Sequence, residues 1–257
     1  MCFQLLMIFY GTSWINMIER LALFILKIVK YYRYNTRVYS YPKKAYQRFC
    51  EDEMEDSYQN FKKYFYTSLI MKQKYLKPWV IKRSLENDQD PNNFYLEFGV
   101  HLGRSIKVFS EFLKNKNNGK DRLIYGFDNF TGLKEDWHGT SGALHLDEKE
   151  KLPKVNRNVI LIKGWIQDTL EKFLSENNVS RISFINIDVD TYETTKYILP
   201  LIKPYLFSGS IIIFDEIYNF PGWKVGEYKA LIEEFKDEEY KFIAFSDDGK
   251  QAAIEII

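Results

Sequence analysis

Two short apolar runs, Ile182–Ile187 and Ser210–Phe214, both lead into acids: Asp188 after the first, Asp215 and Glu216 after the second. One helix-length segment lies between them. Short β-branched runs flanking a helix are the pattern of a strand–helix–strand unit with parallel strands. Both strands of such a unit end at the same edge of the sheet, where ligands bind. Neighbouring strands lie about 5 Å apart, so three carboxylates would converge there. Carboxylates at that spacing repel unless a proton or a hard cation such as Mg²⁺ sits between them. A divalent-cation site on Asp188, Asp215 and Glu216 is the first chemical expectation.

A second group precedes it. The stretch Glu97-Phe-Gly99-Val-His-Leu-Gly103 reads as a strand end, a glycine-bearing turn and a helix start. Gly99 lets the backbone approach a ligand closely, and Gly103 lets the helix begin tight against the sheet. The spacing differs from the dinucleotide G-x-G-x-x-G pattern. An acid at this strand tip would repel a pyrophosphate but suits a cationic ligand such as a sulfonium-bearing amino acid. Asp128 closes the next strand, Ile124-Tyr-Gly-Phe-Asp, and can accept hydrogen bonds from both hydroxyls of an adenosine ribose. Its rival role is an Asx turn or cap. Asp190-Thr-Tyr-Glu193 has capping-box spacing, which favours capping over metal ligation for Asp190. The segment from Lys134 to Leu152 reads as a lid over the pocket, with His138 as an alternative base.

These residues need a scaffold. Strands are expected at 94–98, 123–127, 159–163, 182–187 and 210–214, with helices near 104–115, 167–177, 192–205 and 224–235. Tyr240–Ser246 and Ala252–Ile257, joined by Asp247-Asp248-Gly249, read as a hairpin. The expectation is a Rossmann-like α/β fold: a doubly wound, mostly parallel sheet with an antiparallel last strand. The turn-forming cluster Asn87–Asn93 suggests a boundary, giving a sheet domain over 91–257, a helical extension over 38–90 and an N-terminal helix over 1–37. Tyr58, Phe61, Phe65 and Leu69 fall on one helical face of that extension, and Pro78 is expected to end or kink it. Residues 1–30 are strongly apolar, but Gln4, Asn16, Glu19, Arg20 and Lys27 interrupt a membrane span. The basic, aromatic tail Lys30–Arg37 suits an amphipathic helix in a membrane interface; a helix packed on this domain or on a partner is the alternative. With 36 basic and 35 acidic residues, the chain is not built around a nucleic-acid backbone. Its two cysteines form no disulfide framework. A cytoplasmic enzyme, peripheral at most on the inner membrane face and free to form a homo-oligomer, is expected.

Five segments occur in order: Glu97–Gly103, Gly126-Phe-Asp128-Asn-Phe-Thr-Gly132-Leu, Lys163-Gly-Trp-Ile-Gln-Asp-Thr-Leu170, Ile187-Asp-Val-Asp-Thr-Tyr-Glu193, and Asp215-Glu216. Together they resemble the macrocin-type O-methyltransferases, the group of the mycinamicin and novobiocin sugar methyltransferases, over about 94–235. The resemblance implies a class I methyltransferase fold, S-adenosylmethionine as cofactor and Mg²⁺ dependence. It implies Asp188 as base and metal ligand, with Asp215 and Glu216 completing the metal set; the family usually has Asp where Glu216 stands. It further implies the methionine moiety at Glu97, Gly99 and Gly103, the ribose at Asp128, and the adenine at Gly164, Trp165 and Ile166. The expected acceptor is a sugar hydroxyl of a glycan or glycosylated metabolite. Rival readings are a metal-dependent glycosyltransferase using Asp188-Val-Asp190 as D-x-D, a catechol-type O-methyltransferase, and a catalytically silent scaffold.

Overall fold

The structure, a computed structural model, describes residues 21–27, 42–117, 119–133 and 151–257. By its contacts the chain divides after Glu51, and Asp52–Ile257 forms one compact unit. Most of residues 1–37, and all but the last two residues of the lid expected over 134–152, His138 included, lie outside the described residues. Among the described residues, no helix is long and apolar enough to cross a membrane.

A helix over 21–27 (α1) is followed by α2 (Pro42–Phe65), β1 (Leu69–Met71) and α3 (Gln73–Asn87). Next come β2 (Phe94–Phe98), α4 (Arg104–Phe112), β3 (Ile124–Asp128), β4 (Val159–Lys163) and α5 (Ile166–Glu176). The chain closes with β5 (Ile182–Ile187), α6 (Tyr192–Ile202), β6 (Ile211–Phe214), α7 (Glu227–Glu234), β7 (Tyr240–Ser246) and β8 (Ala252–Ile256). The eight strands form one sheet in the order β1-β7-β8-β6-β5-β2-β3-β4. All pairings are parallel except those of β8, which runs antiparallel between β6 and β7. This is the Rossmann-like sheet expected, with β1 added at its edge. Only three residues long and half-exposed, β1 left no alternating pattern to read.

Strand alternation divides the core into two layers. Leu96, Phe98, Ile185, Ile187, Ile212 and Phe214 pack in one layer with Leu170, Phe173, Ile198, Leu199 and Leu231 of α5, α6 and α7. Tyr95, Phe184, Ile211 and Ile213 face the other way, against Leu76, Val80 and Ile81 of α3 and Ile106 and Phe109 of α4. The parity that sends Tyr95 toward α3 and α4 sends Glu97 there too.

Two expectations for the extension need correction. Pro78 does not end the helical stretch there; it lies inside α3. Its ring costs one intrahelical hydrogen bond, but Leu76, Val80 and Ile81 around it are fully buried, and that packing outweighs the loss. Of the four apolar residues placed on one helical face, only Phe61 is fully buried, while Tyr58 and Leu69 are about half-exposed. Phe61 meets Tyr218, Trp223, Tyr228, Phe242 and Phe245 at ring-centroid distances of 5.0–6.0 Å. The turn-forming cluster before β2 is itself anchored: Asp88 is buried and accepts hydrogen bonds from Asn93, the Tyr95 hydroxyl and Arg122.

Candidate active site

Register sets the geometry of the site. Phe98 lies opposite Ile187, and Ile187 opposite Phe214, so β2, β5 and β6 end level. Each ladder extends one residue further: Asp188 N–H donates to Phe98 O and Asp215 N–H to Ile187 O, both at 2.9 Å. Gly99, Asp188 and Asp215 therefore lie side by side at the carboxyl edge, as the paired-strand argument required. Gly99 stands so close to the neighbouring tip that a Cβ there would fall 1.7 Å from the Asp188 carbonyl oxygen. Only glycine fits at its φ of +88°.

A cavity of about 280 Å³ opens at this edge. Gly99, Asp128, Trp165, Ile166 and Asp188 line it; Glu97, Gly103 and Gly164 do not. His101, Phe130 and Asp190 also line it, and all three adopt positive φ (45°, 59° and 61°). Non-glycine residues held in that sparsely populated region concentrate at functional sites. Asp128 is tied down by the backbone around it: Oδ2 accepts from Val100 N–H (2.8 Å) and His101 N–H (2.7 Å), Oδ1 from Phe130 N–H (2.7 Å). The Asx turn is thus real, and it orients the carboxylate. Oδ1, with a single N–H donor, retains a lone pair for a ligand hydroxyl.

Asp190 does not cap α6. Thr191 is the N-cap residue, and the Asp190 carboxyl lies on the cavity near Glu216. Burial, then Glu216 and Asp215, push its pKa up to about 7. The capping expectation failed because the left-handed turn at Asp190 moves the helix start one residue on.

The acids are partnered differently from the expected metal set. Lys77 of α3 places its ammonium 3.0 Å from Asp215 Oδ1 and 3.6 Å from Asp188 Oδ2, and donates to Ser105 Oγ at 2.6 Å. Asp215 Oδ1 also accepts from the Gln251 amide. Glu216 turns aside: Lys250 donates to its Oε1 at 2.7 Å, and its backbone N–H donates to buried Glu227. Among the described residues, no group of three or more His, Cys, Asp or Glu side chains is arranged to hold a metal ion. As arranged, Asp188, Asp215 and Glu216 do not fit a shared divalent cation, because a lysine lies between two of them and a second lysine holds the third. Burial and Asp215 raise the Asp188 carboxyl well above the usual range, with Lys77 opposing. Burial works against the Lys77 ammonium, but Asp215, Asp188 and Glu97 outweigh it and hold its pKa above that of an ordinary lysine.

Glu97 is fully buried and neither carboxyl oxygen has a hydrogen-bond partner. Burial raises its pKa well above the carboxylate range, and Lys77 is the only opposing cation among the main causes. Asn186, opposite it on β5, is equally buried, with both side-chain polar atoms unpaired. Lys77, Ser105, Asn186, Gln251 and Lys250 escaped sequence reasoning. Lys77 lies 111 positions before Asp188 in a stretch that reads only as polar-aromatic helix, and no local signal marks it.

Residues 96–217 match a family model described as a methyltransferase domain. A calicheamicin methyltransferase, CalS11, is similar at 25% identity and a TM-score of 0.56, covering 70% of this chain and 76% of that one. Its apo structure, described as a TDP-rhamnose 3'-O-methyltransferase, gives 26% identity and a TM-score of 0.53, covering 70% and 77%. The O-methyltransferase NovP shares the fold at 18% identity and a TM-score of 0.51, with 70% and 77% covered. No curated protein sequence matches the chain. The D-x-D glycosyltransferase reading gives way, since the matched domain spans the glycine turn, Asp128 and both strand tips. Sheet order, the cavity at the carboxyl edge and the matched domain together mark the chain as an S-adenosylmethionine-dependent O-methyltransferase with a Rossmann-like α/β fold.

Proposed function

We propose that this enzyme moves the methyl group of S-adenosylmethionine to a sugar hydroxyl, with Asp188 as the base. The observation that carries the reading is the placement of Asp188: it stands on the cavity wall beside Gly99, in the same lining as Asp128. Asp128 takes the ribose hydroxyls, its orientation fixed by three backbone N–H groups. Trp165 and Ile166 give an apolar wall for the adenine, and the Gly99 turn receives the methionine part. Glu97 is fully buried and does not line the cavity. A sugar acceptor is favoured by the likeness to CalS11, whose described substrate is TDP-rhamnose.

Methyl transfer is an in-line displacement. The acceptor oxygen forms a bond to the methyl carbon while the carbon–sulfur bond breaks, leaving a neutral thioether, and the hydroxyl proton passes to Asp188. Burial suits Asp188 to this task, since a base whose pKa is raised toward neutrality accepts a proton more readily. The Mg²⁺ expected from the resemblance enters no step here, because the carboxylates as arranged do not fit it. Asp188→Asn tests the reading: turnover with a nucleotide-sugar acceptor should fall by about 10²–10⁴, while S-adenosylmethionine affinity by calorimetry stays within a few-fold. Full turnover in that variant would remove Asp188 as the base.

A further inference from the structure

We propose that Lys77 is the resident cation of this active site, a positioning residue that takes the place a divalent metal would occupy between Asp188 and Asp215. The inference rests on the methyl-transfer reading for what Asp188 does, but its geometry stands independently.

An ammonium group has three N–H donors and no acceptor. Here it donates to Ser105 Oγ at 2.6 Å, lies 3.0 Å from Asp215 Oδ1 and faces Asp188 Oδ2 at ion-pair range, 3.6 Å, so that it meets acceptors on three sides. Those acceptors come from three separate elements, two strand tips and the first turn of α4. The side chain is 17% exposed, and the helix carrying it is fixed by fully buried Leu76, Val80 and Ile81. It is a seated group, not a surface lysine folded over a cleft. A single positive charge between two carboxylates relieves the repulsion that their adjacency creates, and it orients Asp188 through one oxygen.

The surroundings agree with this assignment. Mg²⁺ demands near-octahedral oxygen coordination at about 2.0–2.1 Å. To bind here it would have to expel Lys77, share an Asp215 oxygen with the Gln251 amide and pull Glu216 from Lys250. The longer side chain of Glu216, where the resembling family has Asp, reaches Lys250 instead of the site. The fully buried Glu97 is a third acid that feels the charge of Lys77. One lysine therefore answers three acids on three adjacent strands.

Mn²⁺ binding to the full chain, followed by electron paramagnetic resonance with S-adenosylmethionine present, tests the proposal without an acceptor. The wild-type chain should show no Mn²⁺ site at micromolar metal, and its methyl transfer should be the same within about twofold in excess EDTA and in millimolar Mg²⁺. Lys77→Met keeps the length of the side chain and removes the charge. It should gain a Mn²⁺ site that Asp215→Asn abolishes in the double variant, and its turnover should fall by at least tenfold and be partly restored by Mg²⁺. A lysine that only packed the helix would give neither the new metal site nor the rescue. Tight Mn²⁺ binding by the wild-type chain that Asp188→Asn or Asp215→Asn removes, or loss of turnover in EDTA with recovery on adding Mg²⁺, overturns the assignment. If Lys77→Met fails to fold, the two wild-type measurements still decide. Failure of the chain to bind S-adenosylmethionine in calorimetry would instead sink the methyl-transfer reading and leave the Mn²⁺ result to judge Lys77.

Discussion

Replacing Gly99 with alanine tests the close crossing of strand tips on which the site depends. Two costs add at this position. The first is conformational: at φ +88° an alanine pays about 1–2 kcal/mol for the left-handed region. The second is steric. The new Cβ would lie 1.7 Å from the Asp188 carbonyl oxygen and 2.6 Å from its carbonyl carbon, where ordinary contact begins at 3.4 Å. Both obstructing atoms belong to the backbone, so no side-chain rotation relieves the overlap and the tips of β2 and β5 must part. Overpacking of this kind costs about 1–3 kcal/mol, for a total of about 2–5 kcal/mol. Each kcal/mol lowers the thermal midpoint by about 2–4 °C in a chain of this length. Activity should suffer more than stability suggests, because shifting Asp188 by about 1 Å can cost about 10²-fold in rate. Two other glycines separate the terms. Gly119 (φ +83°) has nothing within 4 Å of its virtual Cβ, and Gly103 (φ +72°) meets only side-chain atoms of Pro153 and Val155 at 3.3 Å. Urea denaturation and methyl-transfer rates should therefore rank Gly99→Ala well below Gly103→Ala, with Gly119→Ala mildest and fully active. Equal stability losses at all three positions, or normal turnover in Gly99→Ala, would refute the reasoning.

Asp128→Asn keeps the shape of the side chain but replaces one acceptor oxygen with a donor, leaving at least one of the three backbone N–H groups that bond it without its partner. S-adenosylmethionine affinity should fall by at least tenfold in calorimetry, about 1.4 kcal/mol, and unchanged affinity would argue against a ribose at Asp128. Glu255→Gln probes pH dependence away from the cavity. Burial alone would raise the Glu255 carboxyl, but Lys241 (2.8 Å), Asn87 (3.1 Å) and Arg83 (3.2 Å) outweigh it and lower its pKa. A depressed carboxylate stabilises the fold above its ordinary pKa and loses that contribution as pH falls through the folded value. The variant should thus be less stable than wild type by about 1–2 kcal/mol at pH 7, and the gap should close at acid pH. A gap independent of pH in denaturant titrations would show that charge is not the cause.

Where a segment's fate depends on its own residues, the sequence was readable. The runs at β2, β4, β5, β6 and β7 have the β-branched or aromatic character and bounding turns of buried strands, and their observed limits match or lie within one residue of those expected. The acids at strand tips, Asp128 closing β3, Asp188 after β5 and Asp215 after β6, follow directly, since parallel strands all end at the carboxyl edge. Glycine at position 99 was equally readable as a special turn, though the neighbour it accommodates is the Asp188 backbone as well as a cavity.

What the acids do there was decided by tertiary structure. Strand parity turned Glu97 into the α3–α4 layer, away from the cavity, and a left-handed turn at Asp190 took that residue off its helix cap. The docking of α3, driven by the burial of Leu76, Val80 and Ile81, carried Lys77 between two carboxylates more than a hundred positions away in sequence. Charge partners across that separation leave no periodicity or spacing to detect, because they are brought together by apolar packing that would proceed the same with another residue at position 77. The chain thus announced a cluster of acids at one sheet edge, and only the folded arrangement named the cation that answers them.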